Sequence, residues 1–531
     1  MTDPTPPAPT AALDRHPVRL VLAATLIVGL PLLVAAVALR STSWYPVLDL
    51  AMTELRVRDV GTSHTPLIGL PGRIGTYPDQ GSHPGPLSFY LLAPTYRLLG
   101  SSAWAMEAAT VVIHLGAIAV ALWIGHRRLG WPGVAVVGLV LALVLRGYGQ
   151  LTLTQPWNPY LPLVAWLVVM LAAWSVVAGD HWMLVPLVAA ASYCAQTHVP
   201  YLPLGVGMVV LGFGAVVVRW RFRGRSGAID GPDPDPGPAS PWRAALVALG
   251  VGVVLWLPPV ADQIRHDPGN VRQLLDHFGS PPEEPLGVRD GVELALRHLD
   301  VWAGLARQTV DTGTFISAAS ATRGAIVLAA WVGAAVVAWR RGSAALRALH
   351  VVVGAGLLLG TASMVRIFGR PWYYLTLWAW GVTTLLAVAV AWSALTLVRP
   401  RLAAAHRTFG PGLAARIGVG AGALALVVSI ASAIRFADAA HPEERLSAAV
   451  GSLAAPTYDA VVDGVGAATG SDGHYLVRWS DAADIGSPGF GLLDELERRG
   501  LDVAADTFFR VPATAHRTEP RAWSHARQRS T

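Results

Sequence analysis

Apolar residues come in long runs along this chain, and polar ones gather in the gaps between them. A run of about twenty apolar residues is enough to cross a bilayer's hydrocarbon as a helix. The first such run is Val18–Leu39. Others follow at 103–125, 131–149, 159–178, 183–198, 199–218, 243–261, 323–339, 346–365, 371–397 and 416–435. The pattern predicts a mainly α, polytopic transmembrane helical bundle of about eleven spans. The first run is longer than a signal peptide needs, so it is expected to stay as a span.

The gaps predict the remaining organisation. Residues 1–16 are rich in Pro and Thr and are expected to be a disordered cytoplasmic N-terminus, with the transmembrane domain over 17–435. A long polar loop occupies 40–99, and a Gly-, Pro- and Asp-rich linker occupies 224–241. A second long loop, 263–322, carries Val292, Leu296, Leu299, Trp302 and Leu305 at helical spacing, which predicts an amphipathic helix. After the last run, "HYLVRW" (474–479), "GFGLLDELERRG" (489–500) and "LDVAAD" (501–506) read as strand, helix and strand. They predict a small α/β C-terminal module over 436–515, followed by a disordered tail over 516–531.

Composition narrows the class. The chain is 53% hydrophobic and 14% charged, with mean hydropathy +0.47, whereas soluble domains average about 25% charged residues. The net charge of +6 is carried by arginine, with no lysine, and much of it falls in short loops. That distribution is a topology signal and not a nucleic-acid footprint. The single cysteine, Cys194, excludes an intrachain disulfide and a cysteine-rich metal site.

The arginines also set an orientation. With the N-terminus inside, inner loops receive Arg127 and Arg128, then Arg219, Arg221, Arg223 and Arg225, then Arg340, Arg341 and Arg347, then Arg399, Arg401, Arg407 and Arg416. This is the positive-inside pattern, and an odd number of spans puts the C-terminus outside. The expected location is therefore the plasma membrane, multi-pass, with a cytoplasmic N-terminus and an extracytoplasmic C-terminal module. Under this topology the 40–99 loop, "TQPWNPY" (154–160), "QTHVPY" (196–201), "LPPVADQIRHDPGN" (257–270) and "RIFGRPWYY" (366–374) meet on the outer face.

The 40–99 loop concentrates ionisable groups: Asp49, Glu54, Arg58, Asp59, His64, Asp79 and His83. Charges at a membrane surface are costly unless hydrated, paired or used. Asp49, Met52 and Arg56 share a helix face, so an interfacial helix would present the Asp49 carboxylate to take a proton from a substrate hydroxyl. An Asp in a first turn can equally cap its helix. His198 stands at a helix end beside Gln196 and Tyr201 and could meet sugar hydroxyls. Trp157-Asn158 and Trp372-Tyr373-Tyr374 could stack on a sugar or anchor the chain at the interface. Asp262 and Gln263 are weaker contact candidates. No His-x-x-His or Glu-x-x-His spacing supports a zinc site.

The loop resembles the first external loop of the GT-C class of integral-membrane glycosyltransferases, particularly relatives of protein O-mannosyltransferases and lipid A aminoarabinose transferases. The matching residues are Asp49, Glu54 with Arg58, Thr65-Pro66, Tyr77, His83-Pro84 and "LSFYLL" (87–92). The family's Asp-Glu pair is here Asp49-Leu50, and its second proline is displaced by Gly85. The resemblance implies an inverting transferase that moves a sugar from a polyprenyl-phosphate donor to a cell-envelope glycan, lipid or protein acceptor outside the membrane. It maps the general base onto Asp49. It also implies substrate-binding roles for Glu54, Arg58, His83, Asn158, His198, Arg366, Arg370 and Tyr373. Among these the arginines suit a departing phosphate. No cofactor is implied, and a divalent cation stays open. Two other readings compete: a lipid-linked glycan transporter or flippase, and a non-catalytic GT-C-like assembly partner. A transporter should carry mid-bilayer polar groups or an inverted repeat, and neither stands out.

Overall fold

The computed structural model describes residues 16–76, 78–222, 241–306, 319–405, 412–466, 468–480 and 487–518. Tyr77, nearly all of the 224–241 linker, the N-terminal residues up to 15 and the tail after 518 lie outside the described residues.

Eight described helices are long and apolar enough to cross a membrane: Pro17–Leu39, Ala103–Tyr148, Tyr201–Phe222, Pro241–Arg265, Ala321–Arg341, Ala344–Val365, Ala379–Val398 and Leu413–Phe436. The runs 159–178 and 183–198 fold as the shorter Leu163–Val177 and Leu184–Thr197 helices. Side chains on the Leu163–Val177 helix are buried nearly all round, so this helix forms the centre of the bundle.

Ala103–Tyr148 is two arms. The Ser102 hydroxyl accepts the Ala105 N–H and starts the first arm. Gly130 then takes φ 64°, ψ −154°, which favours glycine, and Pro132 follows. A Cβ on Gly133 would stand 2.1 Å from the Gly125 carbonyl oxygen, and one on Gly138 would touch the Leu122 side chain at 3.6 Å. A straight helix would hold residues 125 and 133 about 12 Å apart, so the arms fold back on each other. They coincide with the expected runs 103–125 and 131–149.

The run expected at 371–397 begins later than its hydropathy suggests. Its helix starts at Ala379, and Tyr373–Leu375 form a single 3-10 turn. Pro371 lacks an amide hydrogen, and the aromatic residues after it line a cavity instead of joining the helix.

The second long loop holds three short helices, Asn270–Gly279, Gly287–His298 and Val301–Ala306. The expected single amphipathic face is divided: Leu299 is buried and Leu296 packs against the core, with Gly291, Leu294 and His298 beside them, while Val292 and Trp302 point out. A Cβ on Gly291 would meet Val365 at 2.6 Å, so backbone contact with the Ala344–Val365 helix sets this face.

At the C-terminal end, strands His474–Val477 and Asp502–Ala505 pair in parallel, with helix Ser487–Arg498 between them in sequence. The helix buries Phe490, Leu493 and Leu496, at about 1.5–3 kcal/mol for each large side chain fully buried. Gly491 lies against Pro46, Val47 and Val450; a Cβ there would stand 2.6 Å from the Pro46 carbonyl oxygen. The module therefore packs on the strap of chain that leads into the Leu48–Asp59 helix.

Candidate active site

The Leu48–Asp59 helix lies outside the spans, and Asp49 sits in its first turn. Carboxylates are favoured there because the first amides of a helix are unpaired. Leu48 just before it has φ 52°, a left-handed geometry that costs about 1–2 kcal/mol for an L-residue. The Ser487–Arg498 helix packed on residues 46–47 holds this turn in place.

Asp49 forms part of the wall of a cavity of about 2220 Å³. The cavity lies between the start of this helix, the Pro71–Ser82 hairpin, the 146–160 segment, the 198–206 corner and the 359–375 segment. A drug-sized ligand fills a pocket of about 300–1,000 Å³, so this one has room for a much bulkier ligand. The helices that reach it from the 198–206 corner and the 359–375 segment have their arginines at the far end: Arg219 and Arg221 on Tyr201–Phe222, and Arg347 on Ala344–Val365.

The Trp157 indole N–H donates to an Asp49 carboxylate oxygen at 2.7 Å. Burial raises the Asp49 pKa, and the Trp157 hydrogen bond and the charges of Arg56 and Arg73 oppose that rise. The Arg73 guanidinium stacks on the Trp372 ring, 5.1 Å from its centroid, and Arg370 stacks on the same ring at 4.4 Å. One indole thus holds two cations on the cavity wall.

Seven of the expected site residues line this one cavity: Asp49, His83, Asn158, His198, Arg366, Arg370 and Tyr373. His83 is buried, and burial pushes its pKa down to about 4, so the ring is neutral at pH 7. Its Nδ1 accepts the Val199 N–H at 3.1 Å, which puts the ring hydrogen on Nε2. His83 can therefore donate a hydrogen bond, but it supplies no cation. His198 lies 5.1 Å from His83, centroid to centroid, and its Nδ1 is buried without a hydrogen-bond partner among the described residues. The Tyr373 and Tyr160 hydroxyls are 2.6 Å apart. Arg366 is partly engaged, since it donates to the Phe278 carbonyl at 3.1 Å.

Glu54 and Arg58 are placed elsewhere, and this departs from the substrate contact expected of them. Glu54 is fully buried and takes Arg498 on both carboxylate oxygens at 2.7 Å, Arg58 at 2.9 Å and the Tyr96 hydroxyl at 2.6 Å. Arg58 also pairs with Asp494 at 2.9 Å. Both residues tie the Leu48–Asp59 helix to the C-terminal module. Burial raises the Glu54 pKa, but the Arg498 and Arg58 guanidiniums outweigh it and hold the group at about 2. His64 stacks on His516 at 3.9 Å, away from the cavity. Asp262 and Gln263 accept the first amides of the Asn270–Gly279 helix and so act as its cap.

Sequence reasoning passed over Arg73, Arg146, Tyr160 and Arg435, which all line the cavity. For Arg146 and Arg435 the available signal was an arginine at the helix ends opposite the arginine-rich loops. Among the described residues, no group of three or more His, Cys, Asp or Glu side chains is arranged to hold a metal ion.

No protein-family model matches the sequence, and no curated protein matches it. Solved structures do match. ArnT from Cupriavidus metallidurans bound to undecaprenyl phosphate is 14% identical, with 94% of this chain and 90% of that chain covered and a TM-score of 0.52. The apo state of the same protein gives 13% identity, the same coverage of 94% and 90%, and a TM-score of 0.42. An oligosaccharyltransferase from Archaeoglobus fulgidus gives 14% identity, coverage of 87% and 60%, and a TM-score of 0.38. The fold assignment rests on the first of these. The chain is a multi-pass helical membrane protein. Its particular fold is the GT-C fold, as the loop resemblance implied.

Proposed function

We propose that this chain is an inverting GT-C glycosyltransferase that uses a polyprenyl-phosphate-linked sugar, with Asp49 as its general base. The acceptor hydroxyl attacks the anomeric carbon, the bond from that carbon to the phosphate oxygen breaks, and the lipid phosphate leaves. Asp49 takes the hydroxyl proton. Arg73 and Arg370, and Arg366 beside them, stabilise the negative charge on the departing phosphate. His83 and the Tyr160–Tyr373 pair offer hydrogen bonds to sugar hydroxyls.

The observation that carries this reading is the Asp49 carboxylate, set in the wall of a large cavity with one indole donor and arginines on the same wall. The solved ArnT structure of the same fold is bound to undecaprenyl phosphate, which supports a lipid phosphate as the donor's carrier. The arginine-rich helix ends point to an N-terminus inside and a cavity opening outside the cytoplasm. In cells lacking the chain, mass spectrometry is expected to find accumulated lipid-linked sugar and an underglycosylated envelope product. Precursor stranded on the inner leaflet would instead identify a flippase.

Trp157→Phe supplies a finer test. A general base works only when ionised, so the acid limb of kcat/KM against pH follows the Asp49 pKa. Burial raises that pKa and the Trp157 N–H lowers it. Removing the donor is expected to move the acid limb to higher pH, while the rate on the alkaline plateau changes little. An unmoved limb would mean that another group controls the profile.

A further inference from the structure

At the end of the bundle away from the cavity, three arginines gather round one carboxylate. The Leu163–Val177 helix rises about 22 Å between the Tyr160 corner of the cavity and Asp180, and the Tyr201–Phe222 helix rises about 20 Å from Val206 on the cavity wall to Arg219. Arg127, at the bend of the Ala103–Tyr148 hairpin, donates from Nε and Nη2 to the two Asp180 oxygens at 2.5 and 3.1 Å. Arg219 donates to the Val177 carbonyl at 3.1 Å. Gly179 makes room for it: its φ is 115°, and a Cβ there would stand 2.8 Å from Arg219 Nη1.

Arg128 is the third. Its Cζ stands 5.8 Å from the Trp174 ring centroid, and the Trp174 N–H donates to the Ala345 carbonyl at 2.8 Å, which fixes that ring. Asp180, Arg219 and Arg127 all stand close enough for their charges to act on Arg128. Arg127 already occupies both Asp180 oxygens, and the Arg128 Nε is buried with no hydrogen-bond partner among the described residues. Three guanidiniums around one carboxylate leave a surplus of positive charge, which is costly in a partly desolvated place unless an anion neutralises it.

Topology explains why arginines stand at this end. It asks for charge alone, and freely hydrated side chains satisfy it. It does not explain why a carboxylate, a carbonyl and an indole face hold these three within reach of one another. The surroundings are apolar: Leu129 and Trp220 directly follow Arg128 and Arg219, Trp182 lies two positions past Asp180, and all three side chains are exposed. Exposed indoles beside arginines are the pattern of the headgroup level of a bilayer.

We propose that Arg128 and Arg219, with Arg127 held beside them by Asp180, form a headgroup site for one acidic phospholipid in the leaflet opposite the cavity. The guanidinium forks offer paired N–H donors to the phosphodiester oxygens, and the exposed Leu129, Trp182 and Trp220 meet the glycerol and the upper acyl chains. Basic pockets between helix ends take acidic lipid headgroups in this way. The site lies about 20 Å from the cavity and does not rest on the transfer chemistry.

The test uses the full chain in nanodiscs of dioleoyl phosphatidylcholine with dioleoyl phosphatidylglycerol as the minor lipid. Native mass spectrometry counts the lipids that stay bound as the disc is stripped away. One phosphatidylglycerol is expected to be retained in preference to phosphatidylcholine, which has the same phosphodiester but no net charge. Arg128→Gln and Arg219→Gln should each weaken that retention about fivefold. Arg128→Lys keeps the topology charge and loses the fork, so it serves if the Gln variant inserts wrongly, and it too should retain the lipid less well than the native chain. Arg340→Gln removes another arginine from the same end of the bundle and should change nothing. Inorganic phosphate added to pure phosphatidylcholine discs should add no mass. Native-strength retention in the Arg128 and Arg219 variants would overturn the proposal, as would phosphatidylcholine retained equally well. An equal loss in Arg340→Gln would overturn it by reducing the effect to general surface charge, and bound inorganic phosphate would overturn the lipid assignment. The readout needs no sugar donor, so its outcome separates from that of the catalytic reading.

Discussion

Asp49→Asn is expected to lower kcat/KM for sugar transfer by about 10²–10⁴-fold, the usual contribution of a general base, while leaving the protein folded. The amide has the shape of the carboxylate, and its oxygen can still accept the Trp157 N–H that Asp49 accepts at 2.7 Å. What it loses is the capacity to take a proton. Stability should move the other way. Burial raises the Asp49 pKa, so the ionised form is less favourable in the folded chain than in the unfolded one. A raised carboxyl pKa destabilises the fold above the folded-state pKa, and that penalty fades as pH falls. Asn carries no charge and escapes it, so melting in detergent at neutral pH should be unchanged or slightly higher. Loss of transfer with an equal or higher melting temperature is what a residue selected for chemistry should show. Full transfer activity in Asp49→Asn would remove the catalytic assignment.

Legibility in the sequence followed the range of the interactions. The bundle was readable because span length and hydropathy are local properties, and the hairpin turn near Gly130 was readable because the Arg127-Arg128 pair interrupts the apolar pattern. Asp49 stood out because a carboxylate just past a span needs a reason to be there, and the structure places it on the cavity wall. Glu54 and Arg58 were misplaced for the opposite reason. Glu54's partner Arg498 is 444 positions away and Arg58 reaches Asp494, and no local pattern separates a charge paired across the fold from one facing a substrate. Arg73 was missed because it sits in a Gly- and Pro-rich hairpin with no periodicity to give it a face. The 371–378 segment looked helical because aromatic residues score as apolar, although they line the cavity here.

Glu54→Gln should produce the largest loss of stability. The substitution removes the charge that Arg498 grips on both oxygens at 2.7 Å and that Arg58 reaches at 2.9 Å. Breaking one member of a buried ion network costs about 3–5 kcal/mol, because the surviving charges stay desolvated. Next to it, Arg517 holds Asp59 with two hydrogen bonds of 2.7 Å, and Arg56 donates to the Val511 and Pro512 carbonyls at 2.8 Å. These contacts fix the C-terminal module to the helix that carries Asp49. The expected result is a clear fall in melting temperature in detergent, with limited proteolysis releasing the Ser487–Arg498 segment first. Arg498→Gln should fall similarly, and the double variant should cost less than the sum because the two share one interaction. The pH dependence has a definite sign. Glu54 is held at about 2 against an ordinary 4.5, so it stabilises the fold above the ordinary value and loses that contribution as pH falls toward about 2. Glu54→Gln should lack this part of the acid transition. Activity should fall as well, but through displacement of Asp49: raising the temperature should widen the gap from the native protein, whereas the Asp49→Asn deficit should stay nearly constant until the chain melts. A Glu54→Gln protein with native stability and weakened donor binding would instead return this carboxylate to the substrate.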